Sequence, residues 1–127
     1  MKEQLTLAEG YLQLGMLSEA WDATEDLPPI DRVEPLVLEI RLRILTKRWD
    51  WELGGHLANV LVTSAISPEK CRETVARFHY FHARALCGAG KNDAALHAIK
   101  AASDAWPDLR VEMVNNTRLE SALNGDP

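Results

Sequence analysis

Apolar positions along this chain recur at intervals of three and four residues. The clearest set is Leu38, Leu42 and Leu45. This spacing places the three side chains on one face of an α-helix, because the helix repeats every 3.6 residues. No segment shows the sustained apolar–polar alternation of a half-buried strand. The pattern therefore predicts an all-α protein.

Turn-forming residues divide the pattern into seven predicted helices. Gly15 ends the first helix, and Pro28-Pro29 ends the second because proline has no amide to donate to a continuing helix. Asp31, with Glu34 three residues later, is predicted to cap the third helix, and Ser67 is predicted to start the fifth. The predicted helices cover residues 2–14, 17–27, 31–47, 49–65, 67–89, 91–106 and 108–123.

Two segments share the same order of small, large and turn residues. The first reads Leu7-Ala8-x-x-Tyr11-x-x-x-Gly15-x-x-x-x-Ala20, and the second reads His82-Ala83-x-x-Leu86-x-x-x-Gly90-x-x-x-x-Ala95. The pattern resembles the tetratricopeptide repeat, a helix–turn–helix unit of about 34 residues that stacks on its neighbours.

The resemblance covers residues 2–107 as about three degenerate repeats. It implies a single domain over residues 1–127, built as a right-handed α-α superhelix of three helical hairpins. The hairpins are expected at about 2–28, 31–65 and 68–107, and a C-terminal capping helix at about 108–123. Gly15 and Gly90 are 75 residues apart, whereas two repeats span about 68. About seven extra residues are therefore expected between the second and third hairpins.

Stacked repeats of this family mostly bind other proteins, and the first helix of each hairpin lines a concave groove. We therefore expect an adaptor or scaffold that binds a peptide or protein segment there. The residues expected to line the groove are Leu5, Glu9, Leu12, Val37, Arg41, Arg77, Tyr80 and Arg84.

The arginines of this set favour carboxylates, so the bound segment should carry acidic and apolar groups. Two alternatives stay open. The arginines are equally well explained as a solvated face paired with Glu9, Glu34 or Glu73. The protein would also fit a small acidic secretion chaperone of the same repeat class.

The composition limits the classes of partner that we expect this protein to bind. The 127 residues carry a net charge of −5 without a basic run, which argues against nucleic acid. No segment approaches the roughly 20 apolar residues of a membrane span, and no secretory signal is recognised. We expect a cytoplasmic protein whose partner is a protein or peptide, neither a nucleic acid nor a membrane; homo-oligomerisation stays open.

Candidate chemistry is sparse. His79 and His82 have the i, i+3 spacing of metal ligands, but no third ligand is evident nearby, and half-buried packing explains both. A metal-dependent enzyme built on this pair is therefore a distant third hypothesis.

Cys71 and Cys87 should lie about 24 Å apart on one long helix as free thiols. We expect no catalytic residues, no cofactor and no metal. Most of the four tryptophans should pack between hairpins, and an exposed one would be a candidate contact point.

Overall fold

The structure, a computed structural model, describes residues 1–64 and 68–107. Its elements are α1 (Lys2–Gln13), α2 (Leu17–Glu25), a 3-10 helix (Asp31–Val33), α3 (Pro35–Arg48), α4 (Trp51–Thr63), α5 (Glu69–Gly88) and α6 (Asn92–Ala105). No strand occurs within the described ranges, which confirms the predicted all-α class. The predicted capping helix at 108–123 lies outside the described residues.

The start of α3 differs from the prediction. Asp31 does not cap α3 but begins the short 3-10 helix, and Glu34 is the N-cap, with φ −64° and ψ 138°. Proline disfavours helical backbone in the residue before it, so Pro35 forces Glu34 into this extended conformation. The helix then begins at Pro35, where the missing amide has no cost.

Gly54 and Gly55 lie within α4 and do not interrupt it. Asp50 caps α4 by accepting a hydrogen bond from the Leu53 amide at 3.2 Å. Gly54 is buried on the same helix as Ala58 and Leu61, and α4 packs against α3.

The chain divides into two compact units, Met1–Cys71 and Arg72–Pro127. In the first unit α1 packs against α2, and both pack against α3. As the repeated motif predicts, Ala8 and Ala20 lie in one buried cluster; its other members are Leu12, Ala23, Ile40 and Ile44. In the second unit, Ala83 of α5 is buried with three residues of α6, namely Ala98, Ile99 and Ala102.

Three interhelical turns share one backbone geometry. Gly15, Trp49 and Gly90 have left-handed φ values of 77°, 59° and 78°. Each left-handed residue donates its amide to the carbonyl three residues back, and the next residue donates to the carbonyl five residues before itself. The latter bonds are Met16 to Tyr11 at 2.9 Å, Asp50 to Leu45 at 3.0 Å and Lys91 to Leu86 at 2.9 Å. This pair of hydrogen bonds defines the Schellman motif.

The spacing of the three turns locates the insertion. Trp49 follows Gly15 by 34 residues, and Gly90 follows Trp49 by 41 residues. The seven extra residues inferred from the two glycines therefore all lie after Trp49. The break between the predicted helices 31–47 and 49–65 falls at this second turn; its left-handed conformation was not indicated, because tryptophan occupies the position that glycine holds in the other two.

Trp49 is unusual for two reasons. A left-handed conformation costs a residue with a Cβ about 1–2 kcal/mol, and Trp49 adopts it. Its side chain is also 70% exposed. The indole lies on that of Trp51, with ring centroids 6.2 Å apart and planes inclined by 25°. Trp49 is thus an exposed tryptophan and a candidate contact point for a partner.

Candidate functional site

A cleft of about 470 Å³ lies in the first unit, where α1 and α3 face each other. On the α1 side Gly10 leaves it open, because a Cβ at this position would meet no atom within 4 Å. Leu36 and Ile40 contribute apolar surface from α3. The full lining comprises Leu5, Thr6, Glu9, Gly10, Gln13, Leu36, Glu39, Ile40 and Lys70.

A network of ion pairs joins α1 to α3 beside this cleft. The Arg43 guanidinium binds both oxygens of Glu9, with Nη1 donating to Oε1 at 3.1 Å. Its Nε lies 2.7 Å from Glu39 Oε2 as a charge contact, and its Nη2 donates to Glu39 Oε1 at 3.2 Å. Lys70 Nζ approaches Glu39 at 3.6 Å. Glu9 and Glu39 therefore share Arg43, and Glu39 also pairs with Lys70.

The network gives the buried carboxyl group of Glu39 its partners. Its side chain is only 1% exposed, and an unpaired carboxylate would be strongly disfavoured there. Hydrogen bonding to Arg43 also holds the pKa of Glu9 below its usual value, so Glu9 is ionised at neutral pH. The cleft thus has a rigid charged rim beside an apolar wall.

The structure places only part of the predicted groove in this cleft. Leu5 and Glu9 line it. Leu12 and Val37 are buried in the interior, with 4% and 0% of their surface exposed, so neither is available to a partner. Ile44, on the same predicted face of α3, is also buried.

Arg41 points to another part of the first unit. Its Nη2 lies 2.7 Å from Glu25 Oε1, and its Nε donates to Thr24 Oγ1 at 3.0 Å. Its guanidinium also lies over the Trp21 ring, 4.4 Å from the centroid. Arg41 therefore ties α3 to α2 and is not part of the cleft lining.

Two residues of the cleft network were absent from the predicted set. Arg43 pairs with Glu9 of α1 and with Glu39. Glu39 and Arg43 each lie two residues beyond Val37 or Arg41, on nearly the opposite side of α3 from the predicted face. Their i, i+4 spacing is the arrangement in which a glutamate and an arginine pair on one helix, and it was the available signal. The pairing of Arg43 with Glu9 spans 34 residues, and no local pattern indicates it.

The remaining predicted residues lie on α5 in the second unit. Arg77 pairs with Glu73 at 3.3 Å, as the solvated-face alternative expects. Arg84 lies over the rings of Tyr80 and Phe81, at 5.8 and 5.9 Å from their centroids. Tyr80 itself packs against the buried cluster around Ala83.

The histidine pair is partly buried on the same helix. Phe78 contacts His79 edge-on at 5.2 Å and lies 6.1 Å from His82. Burial lowers the pKa of His79 to about 4, with a further contribution from His82, and burial also lowers the pKa of His82. Within the described ranges no group of three or more His, Cys, Asp or Glu side chains is arranged to hold a metal. Cys71 and Cys87 both lie on α5 as free thiols.

Comparison with family models, curated proteins and solved structures finds no match to the chain. In the part of the chain that the structure describes, no helix combines the length and the apolar character needed to cross a membrane. The function is therefore inferred from the contacts, burial and charges of the residues in this chain.

Proposed function

We propose that this protein is a protein–protein interaction module that binds a peptide or protein segment in the cleft between α1 and α3. The observation that carries the proposal is the cleft itself. It combines about 470 Å³ of space with apolar side chains on both helices and a few fixed polar groups. Such a combination is typical of sites that bind side chains of a partner.

The proposed architecture is a tetratricopeptide-like array of three hairpins, arranged as a right-handed superhelix with a terminal capping helix. The three Schellman turns support it, since the first two are separated by 34 residues, the length of one such repeat. In this arrangement α1 and α3 are the first helices of successive hairpins, and the cleft between them is part of the concave groove. The proposed module acts as an adaptor or scaffold in the cytoplasm, without catalysis or a cofactor.

The partner should insert an apolar side chain between α1 and α3. Leu5, Leu36 and Ile40 offer the apolar contacts, and Thr6 and Gln13 offer hydrogen bonds at the edges. The ion-pair network holds α1 and α3 at a fixed separation before binding. Little conformational entropy is then lost when the segment binds, which favours affinity.

A matched pair of substitutions tests the cleft. Leu36 lines it and is 45% exposed, whereas Ile30 lies outside it and is 77% exposed. Leu36→Asp and Ile30→Asp make the same chemical change on two exposed positions. Proteins recovered from a native extract by the parent and by Ile30→Asp should be lost with Leu36→Asp, and circular dichroism should show both variants folded.

The proposal fails if Leu36→Asp recovers the same proteins in the same amounts as the parent. The state of the recovered protein also separates the two forms of the hypothesis. A folded partner supports an adaptor, whereas a single client held unfolded supports the secretion-chaperone alternative.

A further inference from the structure

One face of α5 carries two arginines and two aromatic rings. Arg77, Tyr80, Phe81 and Arg84 follow one another at i, i+3, i+4 and i+7, so they share a face of the helix. Phe81 is 39% exposed, and Arg77 and Arg84 are exposed as well. The face belongs to the second unit and is separate in its residues from the cleft lining.

The two arginines differ in their partners. Arg77 is held by Glu73 through two hydrogen bonds at 3.3 and 3.4 Å. Arg84 contacts the rings of Tyr80 and Phe81, and among the described residues no carboxylate lies within ion-pair distance of it. A guanidinium above an aromatic ring keeps its N–H groups available, because the attraction acts through the face of the ring.

Tyr80, one of the two rings that Arg84 contacts, is held in place by the protein core. Tyr80 is partly buried and packs against the buried cluster formed by Ala83, Ala98, Ile99 and Ala102. Tyr80 and Phe81 contact each other edge to face, with centroids 5.4 Å apart and planes at 65°. Arg84 therefore rests on a ring that the core holds in place, and its pairing with an anion costs less side-chain entropy than that of a free arginine.

The anion preference comes from the arginine itself and not from a positive field. Residues 72–127, which form the second unit, contain seven basic and seven acidic residues, so the net charge of −5 comes from residues 1–71. Guanidinium groups bind carboxylates through two parallel hydrogen bonds. The exposed edge of Phe81 lies beside the same arginine and offers an apolar contact.

We infer that Arg84, supported by Tyr80 and Phe81, binds the carboxylate of an acidic side chain in a partner protein segment, with an apolar side chain of that segment packed on Phe81. The inference does not depend on the cleft of the first unit. It assigns the α5 face a partner of stated chemistry, namely a segment in which Asp or Glu stands close to Leu, Phe or Trp.

A displayed library of random peptides, selected on the full-length protein, tests the inference. The parent should enrich peptides that combine an acidic residue with a neighbouring large apolar one. Arg84→Gln should weaken the best such peptide about tenfold or more, which corresponds to about 1.4 kcal/mol. Arg84→Lys keeps the charge but loses the paired hydrogen bonds and should give an intermediate loss. Arg77→Gln is the matched control and should change binding little.

Three results would overturn the inference. The selection would enrich no peptides, or peptides without acidic residues, or peptides that bind Arg84→Gln as tightly as the parent. The cleft variant Leu36→Asp separates this outcome from the proposed function. Acidic peptides that still bind Leu36→Asp, and fail to bind Arg84→Gln, would support the α5 face even if the cleft proposal fails.

Discussion

The turn at Trp49 allows a direct test of backbone strain. Trp49, Gly15 and Gly90 hold the same left-handed position in three turns with the same hydrogen bonds. We compare Trp49→Gly with Trp49→Ala, since both variants lose the indole and its contact with Trp51. The difference between the two variants then reports the cost of a Cβ in this conformation, less the gain from restricting the unfolded chain.

The expected difference follows from the turn geometry. A residue with a Cβ pays about 1–2 kcal/mol to adopt the left-handed region. Alanine recovers about 0.4–1 kcal/mol of this by restricting the unfolded chain. Trp49→Gly should therefore be more stable than Trp49→Ala by about 0.5–1 kcal/mol. The converse changes, Gly15→Ala and Gly90→Ala, should each lose a similar amount, because a Cβ at either glycine meets no atom within 4 Å.

Urea unfolding followed by far-ultraviolet circular dichroism measures these differences. With a denaturant dependence of about 1.5–2 kcal/mol per molar, the midpoints should differ by about 0.3–0.6 M. If Trp49→Ala is at least as stable as Trp49→Gly, the second turn does not carry the strain described here. If the alanine variants at the two glycines also lose nothing, left-handed strain is not a factor at any of the three turns.

Three further predictions concern packing and charge. Arg43→Met should lower the free energy of unfolding by about 3 kcal/mol or more, because it removes the main ion-pair partner of the buried Glu39. The control, Arg77→Met, breaks an exposed pair and should lower the free energy of unfolding by less than about 1 kcal/mol in the same urea titration. Because the pKa of His79 is about 4 in the folded protein and 6.5 ordinarily, the unfolded chain binds the proton more tightly. Stability should therefore be fully present above pH about 6.5 and fall by up to about 3 kcal/mol as the pH decreases to about 4; an unchanged pH dependence in His79→Gln would contradict this. Ala83→Leu should cost about 1–3 kcal/mol by overpacking a position with 0% exposure, and an unchanged thermal midpoint would show that the helices have room there.

The exposed tryptophan and the exposed arginine have a common feature. Trp49 occupies a strained position that glycine fills elsewhere, and Arg84 stands on aromatic rings without a described carboxylate. Strained backbone and unpaired charge tend to occur where a protein meets a partner, and only the α5 face also indicates the chemistry of that partner.

The sequence by itself determined the features that depend on neighbouring residues. The 3.6-residue period predicts the helices, and the glycines at Gly15 and Gly90 predict two of the turns, because glycine adopts positive φ at little cost. The distance between these glycines also indicates the seven-residue insertion. Pro35 and Asp50 set the starts of α3 and α4 within one helical turn, although the cap of α3 was predicted at Asp31.

Only the tertiary structure decided which helix faces meet. Arg41, which binds α2, and Arg43, which binds α1, are two residues apart and therefore lie about 200° apart around the axis of α3; the sequence does not show which of these two faces meets which helix. The bond from Arg43 to Glu9 depends on contact between residues far apart in the chain, and the left-handed turn at Trp49 depends on the hydrogen bonds of its neighbours. The ion pair leaves no local pattern, because such contacts are set by the packing of complete helices. The turn at Trp49 closes within residues 45–50, but tryptophan stands where glycine marks the other two turns.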